Sequence, residues 1–147
     1  MVNFENDGDR SEDKFAFWSL GNEYFEAANV LFNTPPTRVN YNLIIYYLLG
    51  HAAELYSKAY LNQKGVTTKE LRTTYRHNLK KLIKQCEKLG LKSETEGFEA
   101  ILALSTIYNA KGMEYRGNKK EAFPNKADLL KQVNKLGDLS FSEASSF

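Results

Sequence analysis

Arg72 and His77 stand five positions apart in LRTTYRHNLKKL, residues 71 to 82. A guanidinium and an imidazole at this spacing suit a phosphate. The guanidinium forks onto its oxygens, and the imidazole changes charge near neutral pH, so it can move protons at a phosphodiester. Arg76 adds a second guanidinium, and Lys80, Lys81, Lys84 and Lys88 follow. Residues 64 to 92 carry nine bases against Glu70 and Glu87, a local balance of +7 on a chain whose net charge is only +2. That imbalance is the footprint of a phosphate-bearing or acidic partner. The plainer reading makes the lysines a solvated helix face and His77 a capping or packing residue.

A second constellation is His51, Glu54 and Lys58 in HAAELYSKAYL, residues 51 to 61. On a helix these three fall within a sector of roughly 60°, extending a stripe begun by Ile44, Tyr47 and Leu48. Glu54 and Lys58 form an i, i+4 pair in the favoured order, which on an exposed helix is worth only a few tenths of a kcal/mol. On a buried face, leaving one member unpartnered costs roughly 3–5 kcal/mol. His51, Glu54, Lys58 and Tyr108 are therefore expected to form an internal or dimer-facing polar set, with a ligand pocket as the alternative.

Other chemistries lack their residues. Two histidines and the single Cys86 leave no zinc or di-iron ligand set, so neither metal nor cofactor is expected. There is no dinucleotide fingerprint, phosphate loop or nucleophile elbow. A lone cysteine makes no internal disulfide. The acidic start MVNFENDGDR is unlike a signal peptide. Leu43 to Leu49 is too short an apolar run to span a bilayer. The expectation is a cytoplasmic protein without a membrane partner.

The elements that must hold these residues are helical. A chain of 147 residues suits one domain, and apolar positions recur at three and four throughout. The first helix starts near Ser11 to Asp13, buries Phe17, Gly21, Tyr24, Ala28 and Leu31, and stops before Pro35-Pro36. The second, about 40 to 62, is apolar nearly all round in its first half and should be central. A polar connection of about a dozen residues, VTTKELRTTY, has room for a short helical turn. The third helix spans about 76 to 89 and ends at Gly90. Its inner stripe is Leu79, Leu82, Ile83, Cys86 and Leu89, which makes Cys86 a core residue. A fourth, about 94 to 111, buries Phe98, Ile101, Leu102, Ser105 and Tyr108. A loop around Pro124 precedes a last helix at about 126 to 137. The fold class is all-α, an antiparallel up-and-down bundle of four to five helices over residues 13–138. An acidic tail, 1–12, and a frayed tail, 139–147, flank it.

The pieces Tyr24-Phe-Glu-Ala-Ala, YYLLGHAAELYSKAYLNQKG, His77-Asn-Leu-Lys-Lys-Leu and Tyr108 followed by Glu114-Tyr115-Arg116 resemble the HEPN fold. HEPN stands for the higher eukaryotes and prokaryotes nucleotide-binding domain. The similarity covers roughly residues 14 to 120. It implies a helical bundle that pairs into homodimers, in a prokaryotic setting of toxin, defence or RNA-processing systems. Active members are metal-independent ribonucleases marked by Arg, four to six residues, then His; here only Arg72 to His77 fits, with Thr73 in the polar position. The family's nuclease motif usually stands nearer Tyr115-Arg116, which no His follows, and His77 aligns with a helix-opening element that inactive members share. The resemblance thus implies a binding and interaction module for RNA, a nucleotide or a protein such as an antitoxin or nucleotidyltransferase, with Arg76, Lys80, Lys81, Lys84, Lys88, Tyr115 and Arg116 at its surface. The rival expectations are a ribonuclease using Arg72 and His77, and a structural partner protein without a ligand.

Overall fold

A computed structural model describes residues 13–92, 97–109 and 123–144. All regular structure among them is helical: α1 Asp13–Phe32, α2 Asn42–Gln63, the one-turn α3 Thr68–Glu70, a π-helical turn Leu71–Tyr75, α4 Leu79–Lys88, α5 Glu99–Asn109 and α6 Lys126–Ala144. The all-α class expected from the periodicity is therefore found.

Helix α2 is the hub, packing on α1, α4, α5 and α6. Its sequence requires this. From Ile45 to Leu61 most of its residues are buried, Glu54, Ser57 and Lys58 among them, so no wet side remains for most of its length. Two helix ends use the same device. Past α2 the Val66 amide bonds the Leu61 carbonyl at 3.0 Å, and past α4 the Leu91 amide bonds that of Cys86 at 2.9 Å. Each reversal passes through a glycine at positive φ, Gly65 at 102° and Gly90 at 117°, a conformation that a Cβ opposes.

Helix α4 keeps its expected inner stripe. Leu79, Leu82, Ile83 and Cys86 are fully buried, while Lys80, Lys81, Lys84 and Lys88 are exposed. Burial pushes the Cys86 thiol far up, so it stays protonated as a core residue. The helix begins three residues later than its periodicity suggests. Arg76 has φ 49°, which no α-helix accommodates, and Asn78 takes the cap by accepting from the Lys81 amide at 3.1 Å.

Helix α6 runs past the end expected for it. Residues 139 onward read as a fraying tail, yet the helix continues to Ala144. Leu139 packs on the core, Ser140 is fully buried, and the Phe141 ring lies 4.6 Å from that of Trp18. The Trp18 indole also donates to the Gly137 carbonyl at 3.1 Å. These α1 contacts are long-range, so the periodicity of the tail alone does not reveal them. The acidic tail 1–12 lies outside the described residues.

Candidate functional site

Glu54 is the centre of the site. Its carboxylate is buried, with the residue 4% exposed, and it takes three hydrogen bonds from three parts of the chain. Lys58, one turn on, donates to Oε2 at 2.8 Å. His77 Nδ1 meets the same oxygen at 2.9 Å. The Tyr108 hydroxyl of α5 donates to Oε1 at 2.8 Å. Burial alone would raise the pKa of Glu54, but the Lys58 ammonium and the Tyr108 and His77 hydrogen bonds overcome it and hold the group below its ordinary value. Glu54 is therefore a carboxylate at neutral pH.

The network continues to His51, whose Nδ1 lies 3.0 Å from the Tyr108 oxygen. The His51 ring stacks on Tyr24 at 5.0 Å between centroids and meets Tyr47 edge-on at 4.6 Å. Burial is the main reason its pKa is lowered, so it is neutral at physiological pH. Burial and the adjacent Glu54 carboxylate push the Tyr108 hydroxyl far up, keeping its proton on.

On the other side of Glu54 a cavity of about 350 Å³ opens, lined by Lys58, Arg72, Arg76 and His77 together with Phe17, Thr68 and Leu71. The connection between α2 and α4 builds this wall. Thr67 and Glu70 make a reciprocal capping box: the Glu70 amide donates to Thr67 Oγ1 at 3.1 Å and the Thr67 amide to Glu70 Oε1 at 3.2 Å. The chain then widens into the π-helical turn, closed by the Arg76 amide on the Leu71 carbonyl at 2.8 Å. Extra-wide turns of this kind cluster at functional sites, as do non-glycine residues at positive φ such as Arg76, whose strain is of order 1–3 kcal/mol. The result is that Arg72, Arg76 and His77 face one space. His77 stays open to it, with its side chain 74% exposed although Glu54 holds Nδ1.

The structure brings His51, Glu54, Lys58 and Tyr108 together, the first, second and fourth joined by hydrogen bonds and Lys58 by its ion pair with Glu54. The structure adds what the spacing did not show: His77 belongs to the same network, so the two constellations are one. Phe17 had seemed only a core residue, and no feature of its spacing marks it as a cavity wall. Lys80, Lys84 and Lys88 lie on the outer face of α4 and do not line the cavity. Lys81 is tied back to the connection, donating to the Thr74 carbonyl at 3.3 Å and lying 5.5 Å from the Tyr75 ring centroid. Two amides at the α4 N-terminus are already engaged: Ser105 Oγ accepts from the Lys80 amide at 2.8 Å and Asn78 from that of Lys81. Tyr115 and Arg116 lie outside the described residues. No cluster of metal-ligating residues occurs among the described residues, and none of their helices is long and apolar enough to cross a membrane.

Fold and site together define an all-α protein built around a buried ionic network that opens onto a cationic cavity. Neither a family model, nor a curated protein, nor a solved structure matches the chain. The chemistry of the cavity therefore carries the functional reading.

Proposed function

We propose that this protein is a HEPN-like antiparallel helical bundle that binds a phosphate-bearing ligand, RNA or a nucleotide, in the cavity beside His77, and that it works in the cytoplasm as a homodimer or with a protein partner. One observation carries the binding proposal. Two guanidiniums, an ammonium and an imidazole line one cavity, while the carboxylate beneath them is already committed to three donors. Lys58 is paired with Glu54, so an anion entering there meets chiefly the charge of the two guanidiniums rather than a free carboxylate. The exposed lysines of α4 extend the favourable field along a polynucleotide.

The test is fluorescence anisotropy with a single-stranded oligoribonucleotide across a salt series. Affinity is expected to fall steeply with salt, with a log–log slope of about −0.7 per phosphate neutralised. Arg72→Ala should weaken binding by roughly tenfold and flatten the slope by nearly one charge. Arg76→Gly separates site from scaffold. It should weaken binding similarly yet leave stability unchanged or higher, because glycine accepts the φ of 49° without strain. Retention of neither RNA nor nucleotides at low salt would end this reading.

A second reading, metal-independent RNA cleavage, is favoured by the pairing of Glu54 with His77. A carboxylate on Nδ1 orients the imidazole, leaving Nε2 to take the proton of a ribose 2′-hydroxyl as that oxygen bonds to phosphorus; the bond from phosphorus to the 5′-oxygen breaks, and the leaving oxygen takes up a proton from the imidazolium or from solvent, which leaves a 2′,3′-cyclic phosphate. It predicts RNA cleavage in the presence of a chelator, with a loss of about 100-fold or more in His77→Ala. Cleavage unchanged by that substitution would remove His77 from the chemistry.

A further inference from the structure

We propose that Tyr108 and His51 are positioning residues for His77, acting through Glu54, and that the network fixes both imidazoles in their Nδ1–H form with Nε2 as the basic nitrogen. The inference deepens the cavity reading, on which its ligand-binding consequence rests; the proton positions stand on hydrogen-bond geometry alone.

The argument is a count of protons. Glu54, ionised, can only accept, and Lys58 can only donate. The Tyr108 hydroxyl has one proton and two neighbours, Glu54 Oε1 at 2.8 Å and His51 Nδ1 at 3.0 Å. Were that proton aimed at His51, a hydroxyl oxygen and a carboxylate oxygen would face each other at 2.8 Å with no hydrogen between them. The proton therefore lies toward Glu54, and the Tyr108 oxygen is left to accept. His51 Nδ1 must supply the donor. By the same reasoning His77 Nδ1, 2.9 Å from Oε2, carries its own proton. Each imidazole is held by one nitrogen, and both bonds lead to one carboxylate.

The surroundings hold this arrangement from each side. Tyr24 of α1 stacks on His51 and Tyr47 of α2 meets it edge-on. Tyr108 reaches Glu54 only because residue 50 is glycine: a Cβ there would stand 2.6 Å from Tyr108 Cδ1. The charged or titratable groups around His51 are thus Tyr24 from α1, Tyr47, Glu54 and Lys58 from α2, Tyr108 from α5, and His77 from the connection. Removing the Tyr108 hydroxyl deprives Glu54 Oε1 of its only protein donor among the described residues and frees the carboxylate to rotate. The ring of His77 then loses its fixed seat although no atom touching it has changed.

Imidazole ¹⁵N NMR on the full chain tests the proposal, with His51→Gln and His77→Gln assigning the two rings. At neutral pH wild-type His51 is expected to show a protonated Nδ1 and an unprotonated Nε2. In Tyr108→Phe, His51 should move to the Nε2–H form and the His77 Nδ1 proton should exchange faster. Binding of a single-stranded oligoribonucleotide should weaken about fivefold in Tyr108→Phe, less than in Arg72→Ala. His51 in the Nε2–H form in the wild type overturns the proposal without any variant, as do ring signals unchanged by Tyr108→Phe. If the NMR pattern is as expected but the wild type binds no oligonucleotide, the network assignment is upheld and the anion-site reading is the one that fails.

Discussion

Glu54→Ala is expected to destabilise the protein by roughly 3–5 kcal/mol, because it leaves the Lys58 ammonium, with the residue only 8% exposed, without its counter-charge. The Tyr108 hydroxyl loses its acceptor at the same time. For a domain of this size the loss is a large part of a total of about 5–15 kcal/mol. Glu54→Gln should cost less, roughly 1.5–3 kcal/mol, since the amide keeps the shape and one acceptor but turns its NH₂ toward a group that also donates. The double variant Glu54→Ala with Lys58→Met should recover much of the stability, for removing both charges is far less costly than stranding one. Urea midpoints at constant m-value measure all three. A single-variant loss below about 1 kcal/mol would show that the pair is effectively solvated.

The pH dependence follows from the same groups. The pKa of Glu54 is lowered on folding from an ordinary 4.5, so its contribution is present above that value and is lost as pH falls through the folded pKa. The pKa of His51 is lowered from 6.5. Between that value and its folded pKa the unfolded chain binds the extra proton, so stability again falls on acidification. Both effects have one sign, and the wild type should lose stability between pH 6.5 and 4 more steeply than a variant carrying Glu54→Gln and His51→Gln.

How far the site was legible in the sequence depends on the range of each contact. The Glu54–Lys58 pair was legible because it is local: an i, i+4 pair inside an apolar stripe has to be satisfied internally. The stops at Gly65 and Gly90 were legible for the same reason, each being set by one residue at positive φ. The Glu54–His77 bond spans 23 positions and exists only because a π-helical turn and the φ of Arg76 swing His77 back toward α2. No periodicity encodes that. Ser105 capping the α4 amides and Phe17 walling the cavity are likewise products of packing between distant helices. The residue types still carried a signal, since a carboxylate in the middle of a helix buried nearly all round must have donors from elsewhere, and the chain has only two imidazoles, beside nine tyrosines, able to supply them.

Tyr56→Ala should be as damaging as any substitution in the core, at the upper end of the roughly 3–5 kcal/mol typical of deleting a buried aromatic ring. The ring lies between two glycines of different helices. A Cβ on Gly21 of α1 would come within 2.9 Å of Tyr56 Cδ1, and one on Gly137 of α6 within 2.7 Å of Cε2. Its hydroxyl donates to Asn22 Oδ1 at 2.6 Å. When the ring is removed, its neighbours at these two positions have no side chains to lean into the gap, so the cavity stays open and the relaxation that usually softens such losses is small. Tyr56→Phe isolates the hydroxyl and should cost about 1 kcal/mol. Gly137→Ala tests the opposite error, overpacking, at about 1–3 kcal/mol or more, because Gly21 blocks the ring from moving away. Thermal and urea unfolding of the three variants would order them Tyr56→Ala, Gly137→Ala, Tyr56→Phe by severity. A Tyr56→Ala loss under about 2 kcal/mol would mean that α1 and α6 close over the gap. That closure would also shift Phe17, one helical turn from Gly21, and so reach the cavity wall.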